Sequence, residues 1–138
     1  MENDTILITR VIDAPIARVY QAFLAPEDLV HWSHAGGGWV TPYARVDAKP
    51  GGEFHIGYSS GDGKQTFDFT GTYDELIPNE KIVYTIIDGR RVWIAFSDED
   101  GKTRVDLTLT LETENTAELQ RKGWGEHLVN LEAYLAKA

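Results

Sequence analysis

The chain has no cysteine, which excludes disulfide staples, thiolate nucleophiles and thiolate metal sites and suits a reducing compartment. Cations are few: 13 Lys and Arg stand against 22 Asp and Glu, a formal net charge of −9 at pH 7. Phosphate backbones and anionic lipid surfaces are bound mainly through clustered Lys and Arg. The adjacent basic pairs are Arg90-Arg91 and Arg121-Lys122 alone, so nucleic acid is not an expected partner. Long apolar runs are missing too. No stretch approaches the roughly 18 residues of a membrane-spanning helix, and Met1-Glu2-Asn3-Asp4 lacks the basic flank and apolar run of a secretory signal. Membrane insertion is not expected, and the expected location is cytoplasmic. With 42% hydrophobic and 25% charged residues and no low-complexity run, the composition is that of a soluble globular protein. The expectation is one domain over residues 1–138, long enough to bury roughly two-thirds of its unfolded surface.

What is present is organised around the last stretch. Residues Asn115 to Ala138 read as one amphipathic helix, with Leu119, Trp124, Leu128, Leu131 and Leu135 at helical spacing on one side. Asn115 is placed to cap its first turn, with Glu118 three residues on to reach back. Gly123 and Gly125 flank Trp124, and each glycine in a helix interior costs about 1 kcal/mol relative to alanine. Two readings account for that cost: close approach of a strand, or a void under the Trp124 indole. His127 projects near the same stripe.

Ahead of the helix, Thr5 to Ile12 are β-branched and apolar enough for a strand, with the inward face left open. Pro15 then takes the first position of a short helix that buries Val19, Tyr20, Phe23 and Leu24, and Pro26 restarts a second one with Leu29, Val30 and Trp32. Ser33 to Thr41, containing Gly36-Gly37-Gly38-Trp39, is a loop with an aromatic anchor. From Tyr43 onward the period is two. A short strand over Tyr43 to Ala48 is followed by inward sets Phe54, Ile56, Tyr58; Phe67, Phe69, Gly71, Tyr73; Ile82, Tyr84, Ile86; Val92, Ile94, Phe96; and Val105, Leu107, Leu109, Leu111. Turns at Pro50-Gly51-Gly52, Gly61-Asp62-Gly63, Pro78-Asn79, Asp88-Gly89 and Asp100-Gly101 separate them. The expected architecture is α+β: a curved antiparallel sheet of about seven strands around the C-terminal helix, with short helices after the first strand. The inward tyrosines imply a partly polar interior, because a buried hydroxyl needs a partner.

The Asp13-Ala14-Pro15 helix start with Val19 and Phe23, Trp32 ending the second helix, the Asp47-to-Phe54 turn through Pro50-Gly51-Gly52, the Gly71-to-Thr85 hairpin, and Gly123-Trp124 before Leu128, Leu131 and Leu135 cover nearly the whole chain. In combination they resemble the SRPBCC superfamily, the helix-grip fold, and within it the activators of heat-shock-protein-90 ATPase homologue family. The resemblance implies a cavity between sheet and long helix that in related proteins holds lipids, sterols, polyketides or other apolar molecules. It implies no cofactor.

Other motifs carry little. His31 and His34 have no third ligand in an HExxH or cysteine pattern, so no metal is expected. Gly61 to Thr66 joins two strands and is a hairpin turn, not a phosphate loop. Gly36-Gly37-Gly38 precedes no helix, and Ser33 beside His34 makes no hydrolytic dyad by adjacency. No catalytic residue is assigned. The expected partner is a small apolar molecule facing Trp32, Trp39, Phe54, Ile56, Tyr58, Phe67, Phe69, Tyr73, Tyr84, Ile86, Ile94, Phe96, Trp124, His127 and Leu128. Two alternatives stand beside it. One is a protein partner or homodimer docking on Trp93 or Trp39, as in a co-chaperone-type domain. The other is a cyclase-like enzyme in which His127 works with Tyr58, Tyr73 or Tyr84 as donors to a bound carbonyl.

Overall fold

Strict alternation along the second half of the chain produces one antiparallel sheet in the computed structural model, which describes residues 4–34 and 38–137. Residues 35–37 of the glycine-rich loop and the Ala138 end of the terminal helix lie outside the described residues. The strands are β1 (Thr5–Ile12), β2 (Val40–Val46), β3 (Glu53–Ser59), β4 (Thr66–Ile77), β5 (Lys81–Ile86), β6 (Arg91–Glu99) and β7 (Lys102–Thr110). The helices are α1 (Ile16–Ala22), α2 (Pro26–Trp32) and α3 (Ala117–Lys137). The sheet order is β1-β7-β6-β5-β4-β3-β2. Consecutive strands β1 and β2 therefore form opposite edges, and α1 and α2 carry the chain across the width between them. The sheet curls around α3, as the aromatic face requires.

Register settles the face that the sequence leaves open in β1. Ile6 and Ile12 are buried and Ile8 is half-buried, whereas Leu7 and Val11 are exposed. The core beneath the sheet holds Ile12, Ile82, Ile94, Val105, Leu109, Leu128 and Leu131, each almost fully buried and each contributing about 1.5–3 kcal/mol of transfer free energy.

Several boundaries differ from expectation for local reasons. Pro15 is the N-cap of α1, with φ −65° and ψ 149°, rather than its first helical residue. The strand expected over Tyr43 to Ala48 starts earlier, at Val40, because a bulge between Val40 and Tyr43 lets the flanking residues pair with β3. In α3 the cap is Thr116 and not Asn115: Thr116 Oγ1 accepts the Leu119 N–H at 3.1 Å, while Asn115 donates through its backbone and side chain to Glu112. The buried residue of the first turn is Gln120, and Leu119 is 55% exposed. The amide of Gln120 donates to the Glu112 and Asn115 carbonyls and accepts from the Glu112 N–H, so it can be buried with its polar groups satisfied.

One charged cluster fixes the helices against one another. Asp28, 4% exposed, receives both terminal nitrogens of Arg18 at 2.8 and 2.9 Å and the Tyr134 hydroxyl at 2.6 Å. It thereby links α2 to α1 and α3. The Arg18 hydrogen bonds hold the Asp28 carboxyl below its usual range, against the opposing effect of burial and with help from Tyr134. A depressed folded pKa means that this stabilisation is complete above the unfolded value of about 3.9 and is lost as pH falls through the lower folded value. Asp28→Asn is expected to reduce stability by about 1.5–3 kcal/mol at pH 7. Urea midpoints of variant and parent should converge as the pH is lowered below about 4.

Candidate functional site

The concave face and α3 do not meet everywhere, and the space between them is a cavity of about 330 Å³, at the lower end of the roughly 300–1,000 Å³ typical of ligand sites. On the sheet side its wall depends on Gly71. A Cβ there would sit 2.6 Å from both the Phe54 ring and the Thr85 carbonyl oxygen. The bare backbone lets the Phe54 ring settle between Phe69, Tyr73 and Tyr84, with centroids at 5.6, 5.3 and 4.9 Å. On the helix side the glycines do the reverse. A Cβ at Gly123 or Gly125 would meet nothing within 4 Å. Close strand approach describes neither glycine, and the void describes Gly123, which lines the cavity.

Of the residues expected to face a ligand, Trp32, Phe54, Ile56, Tyr58, Phe67, Phe69, Tyr73, Tyr84, Ile94, Trp124, His127 and Leu128 line this cavity. Trp39, Ile86 and Phe96 are not among its lining residues. Trp39 packs edge-on against Phe67 at 6.1 Å, Phe96 lies against Tyr20 and Phe23, and Ile86 is buried in register with Gly71. Phe67 is 54% exposed, since it lies near the start of β4, and it stands at the mouth. Sequence reasoning missed Phe23, Leu29, Ser33, Ile82, Arg90, Leu107, Glu112, Asn115, Gln120 and Gly123 as lining residues. Ile82 and Leu107 share the inward alternation and could have been included. Arg90, Glu112 and Gln120 lie on turns and a helix start, where periodicity carries no signal.

Besides Arg90 and Glu112, the cavity is lined by polar groups that burial keeps neutral. Tyr58 shares a 3.1 Å hydrogen bond with Ser33, and burial, opposed by that bond, pushes its hydroxyl up to about 12. Burial also raises Tyr73 and Tyr84. Neither of those hydroxyls has a hydrogen-bond partner among the described residues, yet neither is sealed off from solvent-sized space, so both are open to the cavity they line. His127 stacks on Trp124 at 5.9 Å and meets the Tyr58 ring edge at 6.2 Å. Its Nδ1 lies 3.2 Å from the Gly123 carbonyl oxygen; a carbonyl only accepts, so Nδ1 donates. Burial lowers the His127 pKa, with the Gly123 bond opposing. The lowered pKa favours the neutral ring, and with Nδ1 donating its lone pair is on Nε2.

The other sequence candidates serve elsewhere. His31 stacks on Tyr134 at 5.6 Å, and Asn130 Nδ2 donates to the His34 carbonyl at 2.7 Å. Among the described residues no group of three His, Asp or Glu side chains is placed to hold a metal, and no helix is long and apolar enough to cross a membrane. Trp93 is half-buried on the outer face, in register with Val83 and Thr108.

A curled antiparallel sheet gripping a long helix, with a cavity between them, defines the helix-grip class of the SRPBCC superfamily. The chain belongs to the family described as Activator of Hsp90 ATPase homolog 1-like protein, whose model matches residues 13–136. Its fold is similar to that of an AHSA1-like protein from Aeromonas hydrophila solved by NMR, at 33% identity and a TM-score of 0.92, covering 97% of this chain and 93% of that one. A Chromobacterium violaceum protein solved by X-ray crystallography is similar at 29% identity and a TM-score of 0.85, over 94% of this chain and 96% of that one. A Cytophaga hutchinsonii protein is similar at 33% identity and a TM-score of 0.79, over 98% and 92%. The comparison with curated proteins returns no match.

Opposite outcomes are expected at two glycines. Gly71→Ala should lower stability by about 1–3 kcal/mol through overpacking against Phe54. Gly123→Ala, whose Cβ enters open space, should raise it by about 0.5–1 kcal/mol. Thermal or urea unfolding of the two variants measures both.

Proposed function

We propose that the protein binds a compact, largely apolar small molecule in the cavity between the sheet and α3. The observation that carries this reading is the open Tyr73 and Tyr84 hydroxyls in a space otherwise walled by Phe54, Phe69, Ile94, Trp124 and Leu128. Water alone leaves apolar walls poorly solvated, whereas a ligand with an apolar body and one or two polar atoms satisfies both kinds of surface. The volume of about 330 Å³ suits a molecule of a few fused rings or a short chain better than a two-chain lipid. Family membership supports the same reading, because the helix-grip superfamily is known for cavities of this kind. Affinity in this reading comes from apolar burial, and no reaction is required of the residues lining the site.

Native mass spectrometry of freshly purified protein, followed by extraction of whatever leaves on denaturation, tests the proposal. A discrete added mass supports it. A clean unliganded mass, with no change in tryptophan fluorescence or melting temperature across a panel of short lipids, sterols and aromatic polyketides, overturns it. For any ligand found, Trp124→Ala is expected to weaken binding by about tenfold or more, the loss of a large aromatic contact. His55→Ala should leave binding unchanged, because His55 alternates away from the cavity and pairs with Glu53 at 3.4 Å. Equal losses in the two variants would remove the face assignment.

A further inference from the structure

The polar groups on the cavity wall differ in what they can offer a guest, and their hydrogen-bonding roles are not interchangeable. Tyrosine hydroxyls both donate and accept, whereas a neutral imidazole with one nitrogen already donating offers a single lone pair. At His127 that choice is made by the backbone. Gly123 lacks a side chain and its carbonyl takes the Nδ1 proton at 3.2 Å, which leaves Nε2 unprotonated and without a partner among the described residues. The ring is held between Trp124 and Tyr58, so it is not free to turn away. From α3 it faces the Tyr58 side of β3, with Ser33 occupying the Tyr58 hydroxyl.

We propose that His127 Nε2 is a specificity-determining hydrogen-bond acceptor, and that the ligand class is a compact apolar or aromatic body bearing a hydroxyl donor, of which a phenol is the simplest form. This rests on the reading of the cavity as a ligand site and adds a rule for choosing among ligands of equal size. A guest with no donor strands the lone pair in an apolar surrounding, and a guest with a hydroxyl satisfies it. Discrimination by a buried polar group left unpaired is stronger than discrimination by a methyl group's worth of apolar contact.

Two probes of nearly equal shape, 2-naphthol and 2-methylnaphthalene, separate the inference from the reading beneath it. Calorimetric titration of the parent is expected to favour 2-naphthol. In His127→Phe the ratio of the two affinities should fall by about tenfold or more, chiefly through loss of naphthol binding. His127→Gln, which restores an acceptor oxygen, should recover part of the preference. An unchanged ratio in His127→Phe, with both probes still bound, overturns the inference and leaves the ligand-binding reading standing. Failure of both probes to bind the parent overturns both for this class of ligand. Should His127→Phe not fold, imidazole nitrogen chemical shifts of the parent decide. A change at Nε2 with 2-naphthol but not with 2-methylnaphthalene supports the proposal, and no difference between the probes overturns it.

Discussion

The sheet's aromatic face has to be covered, and the cover available to it is a helix with no side chain at Gly123, where it faces the cavity. Everything else in the interior follows from that mismatch. Leu128, Leu131 and Leu135 fill the C-terminal half of the contact and are buried, so there the helix and sheet close as an ordinary core. At Gly123 the contact is withheld. A cavity forms without any element having to be displaced outward. The cost of the glycines is met by the rest of α3, whose start is fixed by Thr116 and Gln120 and whose last turn is tied through Tyr134 to Asp28.

Electrostatics inside the cavity follow from the same geometry. Burial favours the neutral form of every titratable group it surrounds, raising Tyr58, Tyr73 and Tyr84 and lowering His127. The charged cluster of Arg18 and Asp28 is kept apart, at the helix junction, where each ion has a partner. The chain thus separates two tasks. Charge pairing holds the helices, whereas Tyr58, Tyr73, Tyr84 and His127 offer hydrogen-bonding groups to the space where a guest would sit, with Arg90 and Glu112 also on its wall.

Much of this was legible in the residues. Alternation and the turn glycines specify the strands of the second half and their inward faces, because a one-residue slip would turn every aromatic outward. The resemblance carried by the Pro-Gly-Gly turn and the Gly-Trp helix extends that to the whole fold. What local pattern could not decide depends on partners distant in sequence. Leu119 matches the helical period as well as Leu128 does, but Gln120 is the buried residue, since the loop before α3 happens to supply its hydrogen bonds. Asn115 is as good a cap by type as Thr116, and Glu112 claims it first. Gly123 and Gly125 had two readings because a missing side chain has the same signature whether a neighbour approaches or stays away. Phe67 alternates with the inward set and is nevertheless exposed, since alternation names a face and says nothing about where the cover ends.

The sheet order has a consequence for how the protein comes into being on the ribosome. Strand β1 pairs with β7, Thr5 opposite Thr110, so the first strand to emerge has its neighbour only after nearly all the others have been made. The hairpins from β2 to β7 pair with sequence neighbours and can form as they emerge, while closure of the sheet at β1 is a long-range step of the slow kind. Helix α3 follows β7 in the chain. A nascent chain therefore holds its aromatic face uncovered until α3 has emerged, and the surface that lines the cavity is the one most in need of protection while the chain is still being built.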